Sequence, residues 1–228
     1  MDYDSNFKES PTYNGLFRSS NGYLEVSGVP DATAAFDTSA SGGANGAGGT
    51  GGNDANNDLS DVTISADAAS SVDNGIGIGF LFRMNSSEAN GYLARVITQA
   101  TTLVQFSIFE GAGLNMIGTQ IFSSTVPLRQ GTTLTANTVY PFRVSLTGGL
   151  FSFDFASGAA TASFTDTTVS ATTGQVGVVL STIGPSAATR LDNFAIIPEP
   201  SSATLALLSG IGFLAFARNR FDSRITRT

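Results

Sequence analysis

The 228-residue chain contains no cysteine, no histidine and no tryptophan. Without cysteine there can be no disulfide, no thiolate metal site and no thiol nucleophile. Without histidine the commonest general base and the commonest zinc ligand are missing, and a Ser-His-Asp triad is excluded. A mechanism run by carboxylates alone survives this filter. Charge is also scarce: Asp, Glu, Lys and Arg make up 13% of the residues, and they are unevenly divided. Residues 1–197 hold seven Lys/Arg against sixteen Asp/Glu, a net charge of −9, while residues 218–228 hold four arginines and one aspartate. So acidic a body argues against a nucleic-acid partner, whose phosphates need a basic patch.

What is present fits one all-β domain. Hydrophobic residues reach 41%, enough for a sizeable core, and 26 glycines accompany abundant Ser, Thr, Ala and Asn. Period-2 alternation marks strands along the chain. "YLEVSGV" sets Tyr23, Glu25 and Ser27 against Leu24 and Val26. "DVTISADA" alternates Val62, Ile64 and Ala66, and "GIGIGFLFRM" places Ile76, Ile78, Phe80, Phe82 and Met84 on one face. "NGYLARVI", "LVQFSIFE" and "MIGTQIFS" (Met116–Ser123) follow at hairpin spacing. Phe142, Val144 and Leu146 share a face; Gly148-Gly149 then turns the chain into "LFSFDFA", where Phe151, Phe153 and Phe155 share another. "GQVGVVLS" and "TRLDNFAII" close the body. Residues 38–58 hold seven glycines and almost no large apolar group, so they read as a flexible loop. The pattern predicts an antiparallel two-sheet β-sandwich of about ten strands over residues 1–197.

The chain ends differently. Pro198-Glu199-Pro200 precedes an uncharged 17-residue run, Ser201–Ala217, followed by Arg218, Arg220, Arg224 and Arg227. As a helix the run would span about 26 Å, near the lower limit for a bilayer core. Positive charge flanking a span stays cytoplasmic, so the expected topology is body outside and C-terminus inside. The prolines hold the triplet extended beside the membrane. In order and spacing this tail resembles a PEP-CTERM sorting signal. The resemblance implies an exosortase partner, transient tethering in the inner membrane by a transmembrane helix at 201–217, processing near 198–200, and a destination at the cell surface or in the extracellular matrix. A plain membrane anchor is the alternative. The opening "MDYDSNFKESPTYNG" lacks the basic and apolar regions of a secretory leader, which the tail would require.

The body resembles the laminin-G-like, concanavalin A-like jelly rolls of bacterial surface proteins. The resemblance covers residues 58–197 and rests on an ordered set: Phe82-Arg83, Gly91-Tyr92 with Arg95, Gly174-x-Val176-Gly177, and Asp192-Asn193-Phe194. Retaining glucanases of this fold carry a Glu-x-Asp-x-x-Glu strand, and none of the five glutamates here sits in that pattern. The chain is therefore expected to be non-catalytic, with a glycan-binding or structural role toward extracellular polysaccharide and no cofactor. A carbohydrate-active enzyme on the same sandwich is the alternative, which a carboxylate pair facing a cleft would favour. The inventory for glycan contact is Arg83, Tyr92, Arg95 and Tyr140. For calcium the candidates are Asp54, Asn56, Asp58 and Asp61, a dense set of hard oxygen ligands that lacks the central glycine and distal glutamate of an EF-hand loop.

Overall fold

A computed structural model describes residues 7–9, 18–20, 23–27, 32–36, 59–84, 90–112, 117–168, 174–182 and 187–198. Four short strands come first: β1 (Phe7–Glu9), β2 (Arg18–Ser20), β3 (Tyr23–Ser27) and β4 (Ala32–Phe36). Longer ones follow: β5 (Val62–Ser70), β6 (Ile76–Met84), β7 (Gly91–Ala100), β8 (Leu103–Ala112) and β9 (Thr119–Pro127). The last five are β10 (Tyr140–Thr147), β11 (Leu150–Phe155), β12 (Ala160–Thr165), β13 (Gln175–Thr182) and β14 (Ala188–Pro198). They form two seven-stranded sheets, A in the order β1-β4-β13-β6-β7-β8-β9 and B in the order β12-β11-β10-β5-β14-β3-β2. All pairings are antiparallel. The two-sheet sandwich is as the alternation predicts.

The inward faces meet in one core of aromatic and branched side chains. Phe80 of sheet A stacks on Phe142 of sheet B with ring centroids 5.0 Å apart, Phe106 meets Phe153 at 5.1 Å, and Phe82 meets Phe151 edge-on at 6.2 Å. Offset and edge contacts of this kind add to the area buried. The phenylalanine stripes are thus core. In the β10–β11 hairpin Gly148 has φ 59°, the conformation a type II′ turn needs at its first central position.

Strict alternation fails at Arg83. The register between β13 and β6 slips between Gln175 and Gly177, opposite Met84 and Leu81, and Arg83 takes φ 52°. A bulge of this kind shifts every following side chain to the other face. Met84 consequently joins Leu81, Leu93, Phe109 and Val179 in a second apolar cluster instead of the main core. Arg83, expected to point outward, is 3% exposed. The strand expected over Met116–Ser123 also sits later, at Thr119–Pro127.

β14 lies between β5 and β3, so the last strand of the sandwich pairs with one of the first. It ends with Pro198 opposite Val62. The expected helix at 201–217 and the basic tail lie outside the described residues. Among the described residues no helix is long and apolar enough to cross a membrane.

Candidate functional site

The glycan-contact inventory does not come together. Tyr92 is 1% exposed and its hydroxyl donates to Asp166 Oδ2 at 2.8 Å. Tyr140 is buried, and its hydroxyl accepts the Thr135 backbone N–H at 2.8 Å. Arg83 donates to the carbonyls of Ser60 (2.8 Å) and Gly148 (2.6 Å) and to Asp61 Oδ1 (3.2 Å). Burial pushes its guanidinium pKa below the ordinary value and Asp61 pulls it back; arginine stays charged at neutral pH regardless. Arg95 lies on sheet A, 4.8 Å over the Phe109 ring. Three of the four side chains are therefore sealed inside the sandwich, tying strands and loops together.

Of the calcium candidates, Asp54, Asn56 and Asp58 lie outside the described residues. The Asp61 carboxylate is engaged by Arg83 and by the backbone N–H of Gly148 at 2.8 Å. Among the described residues no cluster of three or more acidic side chains could hold a metal ion.

The outer face of sheet B gathers a different set. On β5, Val62, Ile64, Ala66 and Ala68 point into the core, which turns Ser65 and Asp67 outward. Asp67 stands directly opposite Asp192 of β14, and on its other side opposite Pro141 of β10. Directly opposed residues have Cβ atoms about 4.5–5.5 Å apart, so two carboxylates share this spot. Arg143 faces Ser65 on one side and Asp154 on the other. Two local distortions shape the surface around them. After Asp192 the β14 register slips, and Asn193 adopts φ 51°. Its side-chain amide donates to Asp67 Oδ2 at 2.7 Å, and its backbone N–H to Asp192 Oδ1 at 2.7 Å. At the β11–β12 turn Ala156, Ser157 and Gly158 all have positive φ, and Asp154 Oδ1 accepts the Gly158 N–H at 2.7 Å. Bulges and left-handed residues of this sort recur where side chains are re-aimed toward a site.

These features line two adjoining depressions. One, of about 370 Å³, is bounded by Ser65, Asp67, Arg143, Asp154, Ser157 and Asn193. The other, of about 200 Å³, is bounded by Tyr23, Asp67, Asn137, Val139, Arg190 and Asp192. Asp67 belongs to both, so together they form a groove across the middle of sheet B. At its end Arg190 lies 5.0 Å over the Tyr23 ring and bonds Glu25 at 2.6 Å. That bond to Glu25 raises the Arg190 pKa, and burial opposes it.

Sequence reading missed every groove residue as a site. The parity signal was present for Asp67, Arg143 and Asp154, each flanked by core-facing neighbours. Asp67 and Asn193 are 126 positions apart, however, and nothing local says that their strands adjoin.

No family model matches the chain, and no curated protein matches it. Solved structures do. The carbohydrate-binding module CBM66 from Bacillus subtilis aligns with TM-score 0.52 and 16% identity, over 84% of this chain and 95% of that one. The family 7 alginate lyase A1-II′ in complex with product aligns with TM-score 0.53 and 12% identity, over 86% and 96%. A native glycosidic hydrolase aligns with TM-score 0.54 and 10% identity, over 86% and 91%. The shared fold is the jelly-roll sandwich. The expectation of a non-catalytic surface protein is corrected on this point. Structures of lyases and of a hydrolase are built on the same frame, so neither the frame nor the missing glutamate strand excludes catalysis. The glutamate motif belongs to one stretch of chain, whereas here two strands distant in sequence set Asp67 and Asp192 in register.

Proposed function

We propose that the protein is a carbohydrate-active enzyme that cleaves a polysaccharide lying in the groove on sheet B. The observation that carries this reading is the cross-strand pair Asp67 and Asp192. Directly opposed side chains leave the strands about 4.5–5.5 Å apart at Cβ, a start from which two carboxyls can reach the roughly 5–5.5 Å separation of retaining glycoside hydrolysis. Asp67, common to both depressions, is the nucleophile and attacks the anomeric carbon. Asp192 acts as the general acid, giving a proton to the departing glycosidic oxygen. Water then hydrolyses the glycosyl ester on Asp67, and its proton returns to Asp192. The full chain, incubated with soluble polysaccharides of several linkages, is expected to release new reducing ends. Asp192→Asn should release them about 100-fold more slowly. Binding without any new chain ends would reduce the protein to a binding module, and no binding at all would end the polysaccharide reading.

A second reading is β-elimination. It is favoured by the Tyr23 phenol, which lies beside the Arg190 guanidinium at the end of the groove. The ultraviolet absorbance of an unsaturated product end separates the two.

The proposal includes delivery. Residues 198–228 act as the sorting tail: Pro198, Glu199 and Pro200 are read by an exosortase, the run 201–217 tethers the chain in the inner membrane, and the body works outside the cell. Protein recovered from the medium of the source cells should end near the triplet by intact mass. Recovered protein that retains Arg218–Thr228 would count against processing.

A further inference from the structure

We propose that Asn193 is a positioning residue, holding the Asp67 carboxylate in the orientation from which it attacks. This rests on the cleavage reading above and adds a residue whose part is played through Asp67. Asn193 stands at the register slip in β14. Leu191 and Phe194 both belong to the core, with two residues between them where alternation allows one. Against β5 the step from Asp192 to Ala195 covers only Asp67 to Ser65. Asn193 is the extra residue. Unbroken alternation would turn it inward, the direction now taken by Phe194, which meets Phe80 edge-on at 6.1 Å. Instead, at φ 51°, it is exposed on the groove face beside Asp192. Asparagine tolerates that left-handed conformation better than most residues. Tolerance alone would be met by glycine, which adopts positive φ freely. What glycine lacks is the amide.

That amide is spent on Asp67. Its Nδ2 donates to Asp67 Oδ2 at 2.7 Å, and among the described residues Asp67 makes no other hydrogen bond. Asn193 is thus the group that fixes this carboxylate, engaging Oδ2 and leaving Oδ1 for the attack. A carboxylate released from that bond samples other side-chain rotamers and presents its attacking oxygen for less of the time. Asn193 and Asp67 both line both depressions, so the bond lies where the groove is continuous. The backbone N–H of Asn193 donates separately to Asp192 Oδ1 at 2.7 Å. One residue therefore touches both members of the pair through two different groups, and substitution can part them.

Asn193→Gly keeps the positive φ and the backbone N–H to Asp192, and removes only the bond to Asp67. Asn193→Ala removes the same bond and adds backbone strain. The full chain and both variants are assayed for new reducing ends on dextran, mannan, a soluble β-glucan, alginate and polygalacturonate, with kinetics on the polymer cut fastest. In Asn193→Gly kcat should fall about 10–100-fold while KM stays within about twofold, the pattern of a misplaced catalytic group. In an Asp67→Asn background the same substitution should change kcat less than about threefold, because its effect runs through the Asp67 charge. Wild-type kcat in Asn193→Gly, with Asn193→Ala alone impaired, would show that the residue only turns the backbone; the inference would fall and cleavage would stand. A loss confined to KM, or an equal loss in both backgrounds, would overturn it likewise. A wild-type chain that cuts none of the five polymers ends the cleavage reading and the positioning role together.

Discussion

Asp67→Asn is expected to slow polysaccharide cleavage by about 10²–10⁴-fold, the range for loss of a positioned catalytic group. The change is nearly isosteric. The introduced amide keeps an oxygen that can accept from Asn193, the donor now 2.7 Å from Asp67 Oδ2. What it loses is the negative charge that attacks the anomeric carbon. Substrate affinity should change far less than turnover, because Ser65, Arg143, Asp154 and Asn193 still line the groove. Thermal unfolding measured in parallel should move little, since Asp67 is half-buried on an outer face and touches no core cluster. A variant that cleaves as fast as the wild-type protein removes Asp67 from the reaction.

The largest stability effect is expected at Arg83. Arg83→Met should cost about 3 kcal/mol, measured by urea unfolding. Most of this comes from the carbonyls of Ser60 and Gly148, which lose a charged donor at 2.8 and 2.6 Å. A hydrogen bond to a charged donor contributes about 1.5–3 kcal/mol. The ion pair itself contributes less, because the Asp61 side chain is 37% exposed and keeps the Gly148 N–H. Arg83→Lys separates the two contributions. Lysine restores the charge but not the planar fork that reaches three acceptors at once. It should therefore cost nearly as much as methionine. Full rescue by lysine would show that charge, and not the fork, holds this corner of the sandwich.

The sequence made strand faces legible and strand neighbours not. Phe151, Phe153 and Phe155 could be assigned to the core from spacing alone, because a period of two is a local property. The same rule misassigned Arg83 and Met84, since one residue with positive φ inverts the faces after it. The two-sheet architecture was readable from the number and spacing of alternating runs. The groove was not. It exists because β14 inserts between β5 and β3, and because Asn193 turns out of the ladder at a register slip. Lateral order and bulge position depend on contacts across the whole chain. Asp192 and Asn193 enter the sequence reading only as part of a family pattern, and Asp67 does not enter it.

The central place of β14 also bears on when the domain can fold. β3 and β5 are both made early, yet in sheet B they touch only through β14. Until residues 188–198 leave the ribosome, β2 and β3 have no sheet to join, and β5 presents an open edge. So high a share of long-range pairing delays the closing step until nearly the whole body is synthesised. The chain should therefore remain unfolded through most of its synthesis, with the final strand acting as the zipper that commits it to the folded state.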